Sequence, residues 1–230
     1  MIILFSYPEL FGVADNNPYG LKVFAFLKLC NLPFRQEHIF EAKSAPRGQL
    51  PYMVDDGEHI ADSDAIIAHL INKHGLTIDS ALTDSQRTMH HLITRMLDDL
   101  YWVMSYSRWQ AAQFWPQFRD EMLRTHPCVT ETSLEQARKY NFERYYYQGI
   151  GRYDPDAVFE RGTSDLRVLA TLIPDDRFLF GAEPHSIDAG IYGFLANIYF
   201  FQIDTPLRRF VLSRPNLVRH CNSLHSAIMK

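Results

Sequence analysis

Cysteine is scarce in this chain, and its placement excludes more than it suggests. Cys30, Cys128 and Cys221 are the 3 cysteines among 230 residues, far apart and without a Cys-x-x-Cys pair. An odd, scattered set disfavours both a disulfide framework and a zinc site, and a reducing cytoplasm fits it best. Long apolar runs are also missing, since no stretch approaches the ~20 residues that a membrane-spanning helix needs. The opening Met1-Ile2-Ile3-Leu4-Phe5 carries no basic leader and no small-residue cleavage site, so neither export nor a membrane span is expected. Charge of one sign never accumulates: 23 Lys and Arg against 27 Asp and Glu give a net −4, spread along the chain. There is thus no electrostatic reason to expect nucleic acid or an anionic membrane as partner. The histidines follow the same pattern. His90-His91 and the pair His220 and His225 lack the i, i+4 spacing of a helical metal site, and no metal is expected. Repeats and low-complexity segments are absent.

What is present suffices for a sizeable core, with 47% hydrophobic and 13% aromatic residues. Ile2 to Tyr7 is apolar, β-branched and aromatic, too short for a helix and suited to a buried parallel strand. Pro18 then stands where a first helical turn tolerates it, and Leu21, Phe24, Ala25, Leu27 and Leu29 carry a helical pattern to Asn31. Pro33 to Phe40 supplies a second strand. In Gln49-Leu50-Pro51-Tyr52-Met53-Val54 the proline cannot donate to a ladder, so Leu50-Pro51 belongs at a strand's beginning or edge, and a cis bond is expected there. Asp56-Gly57 closes a hairpin onto the next strand. Asp62-Ser63 starts a helix with Ile66, Ile67, Leu70 and Ile71 on its core face, and such a start suits a ligand carboxylate. Periodicity lapses from His74 to Asp84. Beyond that point the pattern is helical: Ser85 to about Arg108, an aromatic stretch to Thr125, Ser133 to about Tyr147, Asp154 to Leu172, Ser186 to Phe201, and a last pair broken at Pro215.

This order resembles the glutathione transferase superfamily. The stretch Ala45-Pro46-Arg47-Gly48-Gln49-Leu50-Pro51-Tyr52, ending in Ile60-Ala61-Asp62-Ser63, is similar above all to the branch that includes failed-axon-connections and metaxin-like proteins. The resemblance implies an α/β N-terminal thioredoxin-like domain (β-α-β-α-β-β-α) plus an all-α C-terminal domain. Residues 1–76 would form the glutathione-binding domain, 77–83 a linker and 84–230 the helical domain. It implies glutathione as co-substrate, with backbone pairing at Leu50 before Pro51, Asp62 and Ser63 on the γ-glutamyl end, and Gln49 near the glycyl carboxylate, to which the loop cations Lys43 and Arg47 could also donate, although exposed basic residues on a loop are more often solvated. It also implies a homodimer. Gly181-Ala182-Glu183-Pro184-His185-Ser186-Ile187-Asp188 resembles the helix-starting motif of transferase C-terminal domains, with Ser186 or His185 as cap, and is read as scaffold.

A transferase must stabilise the thiolate of a thiol whose free pKa is ~8.5, so the site needs a donor aimed at sulfur. Asn17-Pro18-Tyr19-Gly20 stands where some members place cysteine or serine before proline. Asn17 offers an amide hydrogen and the start of a helix, together worth ~1–2 kcal/mol, but it cannot form a mixed disulfide. Tyr7 at the strand end and Tyr19 compete with it, Tyr7 being better placed. The plain readings are a helix cap for Asn17 and core packing for the tyrosines. A second-substrate pocket for an apolar electrophile would be lined from the long helix by Met96, Leu100, Tyr101, Met104, Tyr106 and Trp109, residues that equally suit a core. Tyr145-Tyr146-Tyr147 with Arg144 and Arg152 reads as helix-end packing, and Arg208-Arg209 as a solvated face. The favoured function is an enzyme directing the thiolate of glutathione at an electrophile. The alternative keeps the fold without the chemistry, as a binding or scaffold protein.

Overall fold

The computed structural model describes residues 1–229. Strand β1 (Ile2–Ser6) leads to α1 (Pro18–Leu29), β2 (Phe34–His38), β3 (Tyr52–Asp55), β4 (Glu58–Ala61) and α2 (Ser63–His74). The sheet order is β2-β1-β3-β4, with β1 parallel to β2 and antiparallel to β3, and β3 antiparallel to β4. The tight connection between β3 and β4 puts Asp56 at φ 50° and Gly57 at φ 89°, the two left-handed positions that an Asp-Gly hairpin supplies. The Leu50-Pro51 bond is cis. The second helix expected between β2 and β3 is reduced to a single 3-10 turn at Ala42–Ser44. Pro46 explains the stop, because it pushes Ala45 into the extended region, where ψ is 151°.

The rest is helical: α3 (Asp84–Trp109), α4 (Trp115–Thr125), α5 (Glu131–Gln148), α6 (Pro155–Leu172), α7 (Ser186–Tyr199), α8 (Pro206–Leu212) and α9 (Pro215–Ile228). Local chemistry sets the ends. Thr83 and Gln86 form a reciprocal capping box at α3, Asp154 caps α6, and Gly75 closes α2 at φ 58°. At α7, Asp188 accepts from the His185 backbone N–H at 2.8 Å, from Leu179 N–H at 3.1 Å and from buried His220 Nε2 at 2.8 Å. Ser186 does not cap. Its hydroxyl and N–H both donate to Asp79, which ties the start of α7 to the segment between α2 and α3.

Helix α7 is buried from Ser186 to Ile198, and α1 is buried on nearly every side, so one core runs from the sheet through α1 into the helices. The two helices cross at Gly193. A methyl there would lie 2.4 Å from Pro18 O and 2.9 Å from Lys22 N. Gly193→Ala must therefore push the two backbones away from each other, and we expect a loss of about 1–3 kcal/mol. Thermal unfolding checks this, each kcal/mol lowering Tm by about 2–4 °C at this chain length; an unchanged Tm would show that the crossing gives way freely.

Candidate active site

Strand register brings the site together. Phe5 pairs with Tyr52 and Tyr52 with Ala61, so the next residues outward (Ser6 and Tyr7, Pro51 and Leu50, Asp62 and Ser63) gather at one end of the sheet. Helix α1 starts at the same end. Gln49 is exposed on the approach, Leu50 is buried, and Leu50 lies outside the ladder.

Asp62 holds φ 84° and ψ 130°, a conformation that a non-glycine residue rarely adopts. Its carboxylate caps α2 from Asp64 N–H at 3.0 Å and Ala65 N–H at 3.3 Å. Arg47 approaches the other carboxylate oxygen at 3.5 Å. Lys43 pairs with Glu41 in solvent. Ser63 is buried, and its Oγ lies 3.4 Å from the ammonium of Lys22, which also forms an ion pair with Asp64.

Asn17 caps α1. Its Oδ1 accepts from Tyr19 N–H at 3.0 Å, and its own backbone N–H donates to Asp15 at 2.6 Å. The amide nitrogen of the same side chain makes no hydrogen bond among the described residues, so one end of Asn17 is a cap and the other remains a donor. Tyr19 is committed elsewhere, donating to Asp98 at 3.0 Å; burial first, then the Asp98 charge, push its phenol far above the ordinary value.

Tyr7 sits just past the end of β1. Burial raises its phenol to about 12, the neighbouring Tyr101 and Asp15 add to this, and Arg144 opposes them. Asp15 is completely buried behind the loop. Burial drives its carboxyl well above the ordinary range, against hydrogen bonds from the backbones of Asn17 and Tyr7 and the Ser6 hydroxyl. Arg108 closes the loop from the helical side. Its guanidinium donates to Asn16 O, to Asn197 O at 2.8 Å and to Asn197 Oδ1 at 3.0 Å, and Asn197 in turn donates to Asp15 O at 3.2 Å. The loop carrying both sulfur-facing candidates is thus held by helices α3 and α7.

The helix-lining candidates separate by environment. Met104 and Tyr106 are buried in the main core, where Tyr106 meets Phe159 edge-on at 6.1 Å. Trp109 packs with Trp115 and Phe118 in a smaller cluster, Leu100 is fully buried, and Met96 is partly buried against the core. Tyr101 is half-buried beside Tyr19, with ring centroids at 5.1 Å, and is the member that shares an environment with Tyr7. Sequence reasoning passed over Lys22, Asp98, Arg108 and Asn197, and read Arg144 only as helix-end packing. Lys22 had a legible signal, a charge within the apolar stretch of α1 that precedes Lys28.

The residues present fit glutathione in kind: a buried hydroxyl with an ammonium beside it at the α2 start for a carboxylate, and an open amide donor at the α1 start for sulfur. Comparison with known proteins gives the family. The family model for the glutathione S-transferase N-terminal domain matches residues 18–114, and that for the glutathione S-transferase C-terminal domain matches 162–224. The isoprene-epoxide glutathione S-transferase of Rhodococcus sp. (strain AD45) is 30% identical over 230 residues, covering 95% of each protein. The chain belongs to the glutathione S-transferase family. Failed axon connections of Drosophila melanogaster is 28% identical across 97% of this chain and 57% of its own length. Among solved structures, a glutathione S-transferase of Ceriporiopsis subvermispora in complex with glutathione has the same fold, with TM-score 0.66 and 14% identity over 98% of this chain and 97% of that one.

The raised Tyr7 phenol has a measurable consequence. Its unfolded value is ~10, so the folded state resists ionisation and the associated stability is lost as pH rises from about 10 towards 12. Ultraviolet titration of the chain against Tyr7→Phe should show the missing tyrosinate only near pH 12. A difference appearing near pH 10 would place Tyr7 in water.

Proposed function

We propose that this family member binds glutathione and directs its thiolate at a small apolar electrophile. Support comes above all from the convergence of the Asp62-Ser63 helix start, the Leu50-Pro51 edge and the Asn17 cap at one end of the sheet. Residues 1–76 form the glutathione-binding domain, 77–83 the linker and 84–230 the helical domain. Ser63 and Asp62 hold the γ-glutamyl end, Leu50 pairs by backbone with the cysteinyl moiety, and Gln49 lies towards the glycyl carboxylate. Asn17 donates its free amide hydrogen to sulfur, with Tyr7 as the second donor, protonated across the working pH range. The electrophile lies towards Tyr101 and Met96. The epoxide named for the Rhodococcus relative supports this class, since attack by thiolate opens a strained ring on a small apolar carbon skeleton. The protein acts in the cytoplasm as a homodimer.

One observation favours a second reading, a scaffold that keeps the fold without the chemistry. Asn17 stands where some transferases carry a serine or cysteine, and the Drosophila relative bears a name unconnected with glutathione.

Glutathione titration near neutral pH, followed by thiolate absorbance in the ultraviolet, separates the two. The enzyme reading expects a saturable thiolate signal, whereas silence at millimolar glutathione supports the scaffold. Ser63→Ala should weaken binding by about tenfold, the effect of losing one hydrogen bond to a charged group. Asn17→Asp keeps the cap acceptor and removes the donor. It should leave the fold intact, raise the pKa of bound thiol by about one unit and reduce the thiolate signal at pH 7. An unshifted thiol would remove Asn17 from the chemistry.

A further inference from the structure

The run Tyr145-Tyr146-Tyr147 divides in the structure. Tyr145 is fully buried with its hydroxyl 2.7 Å from Ser105 Oγ, as helix-end packing requires, whereas Tyr146 and Tyr147 are 56% and 82% exposed. Beside these rings, where α5 gives way to α6, lies a cavity of about 420 Å³ lined by Gln148, Gly149, Ile150, Arg152, Tyr153 and Arg161. That volume falls in the range of small-molecule sites. In a chain of net charge −4, this lining holds two cations and no acid. Both guanidiniums are held in place by aromatic rings: Arg152 lies 5.5 Å from the Tyr146 ring centre, and Arg161 5.4 Å from that of Tyr153. Gly149, at φ 109°, leaves room for Arg152, since a methyl there would lie 3.3 Å from its Nη2. Arg152 has no carboxylate at ion-pair distance among the described residues. Arg161 gives one N–H to Asp99 at 2.9 Å, in an exposed pair that exchanges easily. Gln148 adds a neutral donor: its Oε1 accepts from Ile150 N–H at 2.9 Å, and its amide nitrogen has no hydrogen-bond partner among the described residues.

We propose that this cavity between α5 and α6 binds a nucleoside phosphate, at a site separate from the sheet end where Asn17 and Ser63 gather. The inference does not rest on the glutathione reading. A phosphate monoester carries a charge of about −1.5 to −2 on three acceptor oxygens, enough to satisfy both arginines. The planar N–H forks of Arg152 and Arg161 match those oxygens in pairs, and the Gln148 amide supplies a further hydrogen. A single carboxylate offsets only one of the two cations. The base then lies against the exposed Tyr153 ring, a contact that any base can make through its flat face. Each half of the ligand binds weakly by itself, because salt screens an exposed cation and a neutral base gains only the stacking. Joined, they make both contacts for one loss of translational and rotational freedom.

The test is calorimetric titration of the full chain, in phosphate-free buffer of low salt, with adenosine monophosphate, adenosine, inorganic phosphate and a polyglutamate peptide. The nucleotide should bind saturably, and each of the other three about tenfold more weakly or worse. Arg152→Gln should weaken nucleotide binding by about tenfold or more, and Tyr153→Leu should bring the nucleotide down to the affinity of inorganic phosphate. Both residues are exposed, so the variants should fold as the native chain does, which circular dichroism reports. Inorganic phosphate binding as tightly as the nucleotide would mean an adventitious ion only, and equal binding of polyglutamate would mean a surface for acidic protein. Nucleotide affinity that neither substitution moves would place the ligand elsewhere. Each of these results would overturn the inference, as would the absence of nucleotide binding at millimolar concentration.

Discussion

The close crossing of α1 and α7 is the contact on which the candidate site depends. Because Gly193 presents no side chain, α7 reaches the backbone of the first two turns of α1, at Pro18 and Lys22. Those turns carry the polar contacts of this helix: Asn17 at the cap, Tyr19 reaching to Asp98, and Lys22 reaching to Ser63. A larger residue at 193 would displace the start of α1 and with it the Asn17 amide and the Lys22 ammonium. Dense packing converts such a displacement into a discrete rearrangement, since interiors at crystal-like density have no slack to absorb it.

The loop before α1 is secured by a second device with unusual electrostatics. Arg108 is buried and has no carboxylate within ion-pair distance among the described residues; its donors go to the oxygens of Asn16 and Asn197, and its guanidinium lies 4.8 Å from the Phe201 ring centre. Burial lowers its pKa to about 10, which still leaves it charged at neutral pH. Asp15 on the other side is driven the opposite way, towards the neutral acid, and one of its oxygens has no hydrogen-bond partner among the described residues. A methyl at Gly20 would fall 1.6 Å from that oxygen, so the glycine is what makes room for the carboxyl. The arrangement places one cation behind the start of α1 with no carboxylate at ion-pair distance among the described residues. Its potential adds to that of the helix N-terminus at Asn17.

The regions of the molecule that obey local rules could be read from the sequence. Asp56-Gly57, the proline at the beginning of β3 (Pro51) and the Asp62-Ser63 helix start carry their geometry in their side-chain chemistry, and the structure realises all three. The helical pattern beyond Asp84 followed the apolar period, with ends near their caps. Where competing local terms nearly balance, legibility fell. The segment at Ala42 has helix-forming residues but runs into Pro46, and the backbone restriction won. Aromatics on α3 were ambiguous because a 3.6-residue period gives the same signal for a core and for a pocket; only packing against α6 shows that Tyr106 faces inward. Arg108 and Asn197 were invisible, since their partners are backbone oxygens distant in sequence and no pattern of residue types announces such a bond.

Asn17 shows how far family membership constrains chemistry. A serine at a helix start would have to use one hydroxyl both to cap the helix and to meet sulfur. A carboxamide divides the tasks between two atoms: oxygen accepts from Tyr19 N–H, and the nitrogen, fixed in plane by that bond, has no hydrogen-bond partner among the described residues. The donor is therefore oriented before the ligand arrives, and its ordering is already accomplished by folding. The limit of the device follows from the same chemistry. An amide neither loses a proton nor attacks, so it stabilises a thiolate only through hydrogen bonding and field, by ~1–2 kcal/mol, or about one pKa unit. A thiol starting near ~8.5 then becomes substantially but not fully ionised at neutral pH. Further acceleration has to come from holding the electrophile against the sulfur, where orientation alone can supply several kcal/mol. On these terms the position of Tyr101 and its neighbours on α3, more than the identity of residue 17, governs how fast such a site can work.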